Sequence, residues 1–306
     1  MIDLSTLLVH LALLLGLPPF LLGVINRTKA WFAGRRGPPL LQAYYDLLRL
    51  LRKEMVFSRT TTWVFRAGPV VGVCCMLLAG LLVPFGAFDA PLRFTGDLVL
   101  FAYLLALARF FTTLAALDTG SAFEGMGAAR EVSFACLGEA ALFTAFVVLV
   151  RFSGSLSLSP MLHAPLSETL HGLPAAALFL VAVALFALLL AETARVPVDD
   201  PNTHLELTMI HEVMVLDHSG PLFGLVLYGA AVKLLVLSAL LLHLLLPVRL
   251  ASAPLDWALF AAGLVAIAVG IGVVESVMAR LSMRHVPSLL IGAAVLCAFG
   301  FVLTLA

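Results

Sequence analysis

Charge is what this sequence has least of. Only 12% of its 306 residues are Asp, Glu, Lys or Arg, while 62% are apolar; a soluble globular protein is about one quarter charged. With a mean hydropathy of +1.10, the composition excludes a water-soluble enzyme. Net charge is missing as well. Lys and Arg total 18, as do Asp and Glu, so nothing in the balance draws a nucleic acid. Cysteine is scarce, and Cys74, Cys75, Cys136 and Cys297 sit inside apolar stretches without a C-x-x-C pair. That pattern speaks against an iron–sulfur cluster, a zinc site or a disulfide framework and for thiols packed as small hydrophobes. Nucleotide motifs are absent. GMGAAR at 125–130 starts like G-x-G-x-x-G but ends in Arg and follows no strand, and there is no Walker loop.

Long apolar runs are abundant instead. A bilayer-spanning helix needs about 20 apolar residues, and such runs lie near 4–25, 67–88, 97–117, 130–151, 173–192, 222–246, 256–279 and 285–304. The expectation is an all-α integral membrane protein, residues 1–306 forming one polytopic domain of about eight transmembrane helices. The first run opens on Asp3 where a cleaved signal has basic residues, and it reaches Pro18-Pro19, so it reads as a retained, kinked span. Basic residues sort by side. Segment 26–66 carries nine (Arg27, Lys29, Arg35, Arg36, Arg49, Arg52, Lys53, Arg59, Arg66), and Arg130, Arg195, Arg280 and Arg284 bring that side to thirteen. Only Arg93, Arg151 and Arg249 fall opposite. By the positive-inside asymmetry, both termini face outward and the 26–66 and 192–220 connections face the cytoplasm.

Within 26–66, Leu41, Tyr44, Leu47, Leu48, Leu51 and Met55 recur at helical spacing, with Gln42, Asp46, Arg49 and Lys53 on the other side. Pro38 and Pro39 suit a helix's first turn. An amphipathic surface helix is expected here, either a solvated basic face that orients the chain or a docking surface for a partner. Segment 192–220 is lopsidedly acidic: Glu192, Asp199, Asp200, Glu206, Glu212 and Asp217 make six of the eighteen acids, against Arg195 alone. His204, His211 and His218 repeat every seven residues and would share a face on one helix. HEVMV is not H-E-x-x-H and no cysteine joins them, so a proton-titrating or structural role outweighs a metal.

Arg109, Glu131, Glu139, Lys233 and Glu275 fall inside apolar runs. Each costs ~2.5–3.5 kcal/mol at a helix centre on insertion scales, so they are expected to face the bundle interior and to pair or line water. Lys233, mid-span, needs an acid or a wet cavity. Glu131 and Glu139 lie about 12 Å apart along one helix and on nearly the same face. Interhelical salt bridges would account for Arg109 and Lys233. For the glutamates a proton relay is the favoured alternative, since burial favours a neutral carboxyl and neighbouring cations favour a charged one.

Several motifs then occur in order across nearly the whole chain: RRGP at 35–38, LLQ at 40–42, Asp46, KE at 53–54, ARFFTTLAALDTGSAFEGMGAARE at 108–131, ET-x-R-x-P-x-D at 192–199, Glu206-Leu207 and a closing D-H-S-G. Together they resemble the membrane subunit that joins the two arms of respiratory complex I (the H-type, or subunit 1, family). The LDTGS and GAARE stretches look more like its counterpart in formate hydrogenlyase and other group 4 nickel–iron hydrogenases. The tract between RRGP and LLQ is shorter than in complex I, and Asn202 and His204 stand where that family has glutamates, which weighs against a quinone chamber.

The resemblance implies a non-catalytic subunit of an oxidoreductase complex in a prokaryotic inner membrane, binding no cofactor itself. Partners would be an iron–sulfur small subunit and a nickel–iron large subunit on the cytoplasmic side, with antiporter-like membrane subunits beside it. By motif match, Glu139, Glu192, Asp199, Glu206 and Asp217 occupy family acidic positions, Glu131 and Glu275 those of the hydrogenase branch, and Arg130 and Arg195 matching cations. With Arg109, Asp200, Glu212 and Lys233 they form the expected coupling set. Arg35, Arg36, Asp46, Arg49, Lys53 and Glu54 are the expected docking residues. The leading expectation is a coupling and anchoring subunit of an energy-converting hydrogenase that moves protons or sodium. The alternatives are the quinone-site subunit of a complex I-like NADH dehydrogenase and a stand-alone cation/proton transporter.

Overall fold

The computed structural model describes residues 3–163, 172–199, 209–246 and 252–305. Helices dominate: α1 Leu4–Phe32, α2 Gln42–Leu51, α3 Trp63–Leu82, α4 Asp97–Asp118, α5 Ala122–Ser153, α6 Leu158–His163, α7 Leu173–Glu192, α8 Gly220–Leu245, α9 Ala253–Val277 and α10 Val286–Leu303. Eight of these, all but α2 and α6, are long and apolar enough to cross a membrane. The chain is a multi-pass membrane protein. Four connections (33–62, 119–121, 193–219 and 278–285) lie at one end of the bundle, here the basic end; both termini lie at the other.

Local chemistry explains several boundaries. At the start of α3 the Thr62 hydroxyl accepts the Val64 N–H at 3.3 Å. Asp118, the last residue of α4, accepts the Thr62 N–H at 2.6 Å and the Phe65 N–H at 3.3 Å. A carboxylate thus satisfies donors at the positive end of α3. Gly120, at φ +71°, turns the chain from α4 into α5. In α1, Pro18 and Pro19 sit inside the helix. Pro19 has no N–H to give the carbonyl four residues back, and the Tyr228 hydroxyl on α8 donates to that Leu15 oxygen at 2.9 Å.

Several boundaries differ from the sequence expectation: α1 runs on to Phe32, past the apolar run at 4–25, α3 ends at Leu82, short of 88, and two others have a local cause. α5 begins about two turns before the apolar run at 130–151, because Glu124 and Glu131 are buried among partners and do not end the helix. α2 begins at Gln42, so Pro38 and Pro39 precede it. A Cβ on Gly23 would collide with the Leu40 carbonyl, which presses on α1 at that point; the backbone at 40–41 therefore turns before the helix starts.

The 193–219 connection departs most from a solvated loop. Val196, Val198, Met209, Ile210, Val213 and Met214 are buried, as are Arg195, Asp199 and His218. Among its described residues only Leu216 and Asp217 are exposed. Its described residues pack back between the helices as a plug. Asp200, His204 and Glu206 lie outside the described residues. His211 and His218 flank a short 3-10 helix, Glu212–Val215, so they do not share the face of one long helix.

Candidate functional site

Helix α5 receives this plug along one stripe. A Cβ on Gly127 would strike Val213 and come within 3.1 Å of the Ile210 carbonyl, so only glycine admits the connection there. One turn on, Arg130 donates to the Met209 carbonyl at 2.9 Å and to the Met126 sulfur at 2.7 Å. Glu131 follows, and Gly138 two turns later lies 3.4 Å (from its absent Cβ) to the Glu192 carboxylate. The GMGAARE stretch that failed as a nucleotide loop is a seat for the connection.

α7 ends on Glu192 in a Schellman-type turn. The Arg195 N–H donates to the Leu190 carbonyl at 2.8 Å, and Ala194 takes φ +52°, the left-handed conformation usually left to glycine. Glu192 is thereby fixed among four helices.

Arg109 of α4 is the hub. Its guanidinium lies 3.2 Å from Glu131, 2.5 Å from Glu139 and 2.6 Å from Glu192. Lys233 of α8 meets the other Glu192 oxygen at 2.5 Å. On the far side of Glu131, the His211 Nε2 stands 3.4 Å from Oε2. The rigid, delocalised fork of arginine suits three carboxylates at once where an ammonium would serve one. Two fixed cations against three carboxylates leave one surplus acid. Most of the set is dry, but the Glu139 side chain remains 43% exposed on the outer side of α5.

A second set sits across the plug. Glu275 of α9, with its side chain fully buried, pairs with Lys29 of α1 at 2.7 Å and Arg195 at 3.2 Å. Arg195 thus serves Glu275 and not Glu192. Asp199 pairs with Arg280 at 2.9 Å and accepts the N–H groups of Ile210 and His211 at 3.1 Å each. The plug ties the two ionic sets together through Asp199 and His211.

A cavity of about 20 Å³ is lined by Glu131, Glu192 and His211, with Gly138 on its wall. A second, of about 10 Å³, lies beyond Gly138 and Glu192 among Leu105, Leu142, Leu185 and Leu237. The first has room for about one water. Neither admits a quinone ring.

The expected docking residues Arg35, Arg36, Arg49, Lys53 and Glu54 are exposed, and Asp46, half-buried, accepts from Gln42 at 2.9 Å. α2 buries no residue fully. Tyr44, Leu47 and Leu50 are half-buried, while Leu41, Tyr45, Leu48, Leu51 and Met55 are exposed. Glu212 is half-buried beside His211, and Asp217 donates its N–H to the fully buried Glu124 at 2.9 Å. Sequence reasoning did not assign Lys29, Glu124, His211 or Arg280 to the coupling set. The surplus acid beside a histidine-bearing connection was the available signal for His211. Among the described residues, no group of three or more His, Cys, Asp or Glu is arranged to hold a metal ion.

The NADH dehydrogenase family model matches residues 4–306. Formate hydrogenlyase subunit 4 of Escherichia coli (strain K12) is 32% identical, covering 78% of this chain and 76% of its own. Hydrogenase-4 component C of the same organism is also 32% identical, over 78% and 74%. An NADH-quinone oxidoreductase subunit of Syntrophotalea carbinolica is 32% identical over 68% of this chain and 64% of its own. A chain in the membrane-bound sulfane sulfur reductase, an archaeal respiratory membrane complex, superposes with a TM-score of 0.82 at 21% identity, covering 98% of this chain and all of that one.

Proposed function

The chain belongs to the NADH dehydrogenase family, and we propose that it is the membrane anchoring and coupling subunit of a complex I-like, energy-converting hydrogenase of the formate hydrogenlyase type. It would seat an iron–sulfur small subunit and a nickel–iron large subunit at the basic end, with antiporter-like subunits at its flank. In this reading the redox centres belong to those partners. The basic end faces the cytoplasm and both termini face outward, as the distribution of arginine and lysine favours.

One observation carries the reading. Arg109 gathers Glu131, Glu139 and Glu192, and the set reaches from the plug at Glu131 to the partly exposed Glu139 on the bundle's flank. Redox chemistry in the docked module shifts the 192–220 connection or its protonation. Glu131, Glu192 and Glu139 pass that change sideways, with Lys233 and Arg109 holding the charge balance. This is a local electrostatic event biasing a two-state element.

The test is turnover and ion movement in membrane vesicles carrying the assembled complex. E139Q and E192Q should assemble but lose proton or sodium translocation, or turn over slowly. Full coupled activity in both variants rejects the relay. The second reading, a quinone-facing subunit, draws on the likeness to the NADH-quinone oxidoreductase relative. A quinone-site inhibitor separates the two: insensitivity together with hydrogen evolution favours the hydrogenase.

A further inference from the structure

We propose that His211 is the proton carrier through which the 192–220 connection feeds the Arg109 set, with Asp199 as its positioning residue; this rests on the relay reading above. Arg109 and Lys233 supply two positive charges to the three carboxylates they meet. His211 is the sixth ionisable side chain, on the same Glu131 that Arg109 holds. When its imidazole is protonated the set is neutral; when it is not, one acid is left over. Imidazole is the side chain whose charge changes near neutral pH.

The ring is placed for exchange and not for scaffolding. The contrast is His243, whose Nδ1 and Nε2 stand 2.7 and 3.1 Å from the Ala239 and Gly86 carbonyls. His211 has only Glu131 at Nε2, its buried Nδ1 has no hydrogen-bond partner, and its side chain keeps 29% exposure. It therefore touches both the buried acid and the outside. The cavity it shares with Glu131 and Glu192 has room for a water. Position is set from behind. Asp199 takes the His211 N–H while paired with Arg280, and Arg130 holds the Met209 carbonyl. Glu131 from α5 meets the ring and Glu192 from α7 lines the same cavity; the charged groups next outward are Arg109 from α4, Arg130 from α5, Arg280 from the α9–α10 connection, and Asp199 and Glu212 from its own segment.

The step balances simply. The imidazolium Nε2–H bond breaks, a carboxyl O–H bond forms on Glu131, and neutral imidazole is left. A hydronium ion at the exposed edge gives a proton back to Nε2, since Nδ1 is buried, and leaves as water, so the set gains one positive charge per transfer. Movement of the Asp199-held segment makes or breaks the His211–Glu131 contact, which turns a shift of the plug into a proton delivered or withheld.

The experiment uses the assembled complex in vesicles, comparing wild type, H211Q, D199N and E139Q across pH. A general acid–base group contributes ~10²–10⁴-fold. H211Q should lower proton translocation by at least about tenfold and change the pH dependence of turnover, because the amide carries no exchangeable acid proton. D199N should keep the wild-type pH dependence with weakened coupling. Wild-type profile and coupling in H211Q, with coupling lost in E139Q, overturns the role of His211 and leaves the relay standing. Unchanged coupling in both removes both. Should H211Q fail to accumulate, H211G supplied with imidazole gives the same reading: recovery supports the carrier, and no recovery in assembled H211G overturns it.

Discussion

Arg109 and Glu192, 83 positions apart in sequence, meet at 2.6 Å between α4 and α7. That contact makes one buried guanidinium common to carboxylates from two helices, and it converts costly intramembrane charges into a connected set. Removing Arg109 would leave the buried Glu131 without its fixed cation and take one partner from Glu192 and from the partly exposed Glu139. R109L should cost roughly 3–5 kcal/mol, the penalty for breaking a buried ion pair, and deplete the chain from membranes. R109K should retain more, since it keeps the charge but cannot fork. Quantifying assembled complex and its thermal stability in detergent checks the order wild type, R109K, R109L.

Ala194 is the residue that turns the chain out of α7 behind Glu192, at φ +52°. Glycine adopts that conformation without a Cβ penalty, whereas a β-branched side chain does not. A194G should be neutral or raise the melting temperature slightly, while A194V should lower it. Thermal unfolding of the two variants side by side provides the check.

Gly127 is tested against Gly72, whose added Cβ would meet nothing within 4 Å. G72A should leave stability unchanged or improve it by up to about 1 kcal/mol. G127A pushes on Val213 and the Ile210 carbonyl, so overpacking of about 1–3 kcal/mol outweighs any gain in helix propensity. The readout is limited proteolysis within 193–219, expected to speed up in G127A alone.

His218 stacks on Phe65 with ring centroids 4.0 Å apart. Burial lowers its imidazole pKa below the ordinary value, against a smaller upward pull from the Phe65 backbone and Asp217. The folded state then binds a proton less readily than the unfolded one. Its contribution is complete above the unfolded value of about 6.5 and is lost as pH falls toward the lowered folded value. Amide hydrogen exchange around 216–219 should quicken on acidification below that point, and H218F, which keeps the stack, should remove the dependence.

Hydropathy made the eight spans legible, because lipid demands long apolar helices. The need for partners at Arg109 and Lys233 was legible for the same reason, and the shared face of Glu131 and Glu139 followed from helical spacing. Which helices neighbour one another does not follow from spacing. Glu275 pairs with Lys29 from the first helix and Arg195 from the plug, contacts that only the packing of α1 on α9 creates. The close approach of Gly272 to Thr28, 2.7 Å from an added Cβ to the Thr28 Cβ, brings those helices together. The lopsided acidity of 192–220 marked the segment as unlike a solvated loop but did not say where it sits; its apolar residues Val198, Met209, Ile210 and Val213 fold inward and carry Asp199 with them.

Infrared difference spectroscopy tests the central claim most directly: that the Arg109-centred carboxylates change protonation as the docked module turns over. Membranes carrying the complex, with isotope-labelled glutamate, are compared before and after reduction. A labelled carboxyl band that appears in wild type and vanishes in E139Q is the predicted result. A difference spectrum identical in the two, with no glutamate band in either, would contradict it.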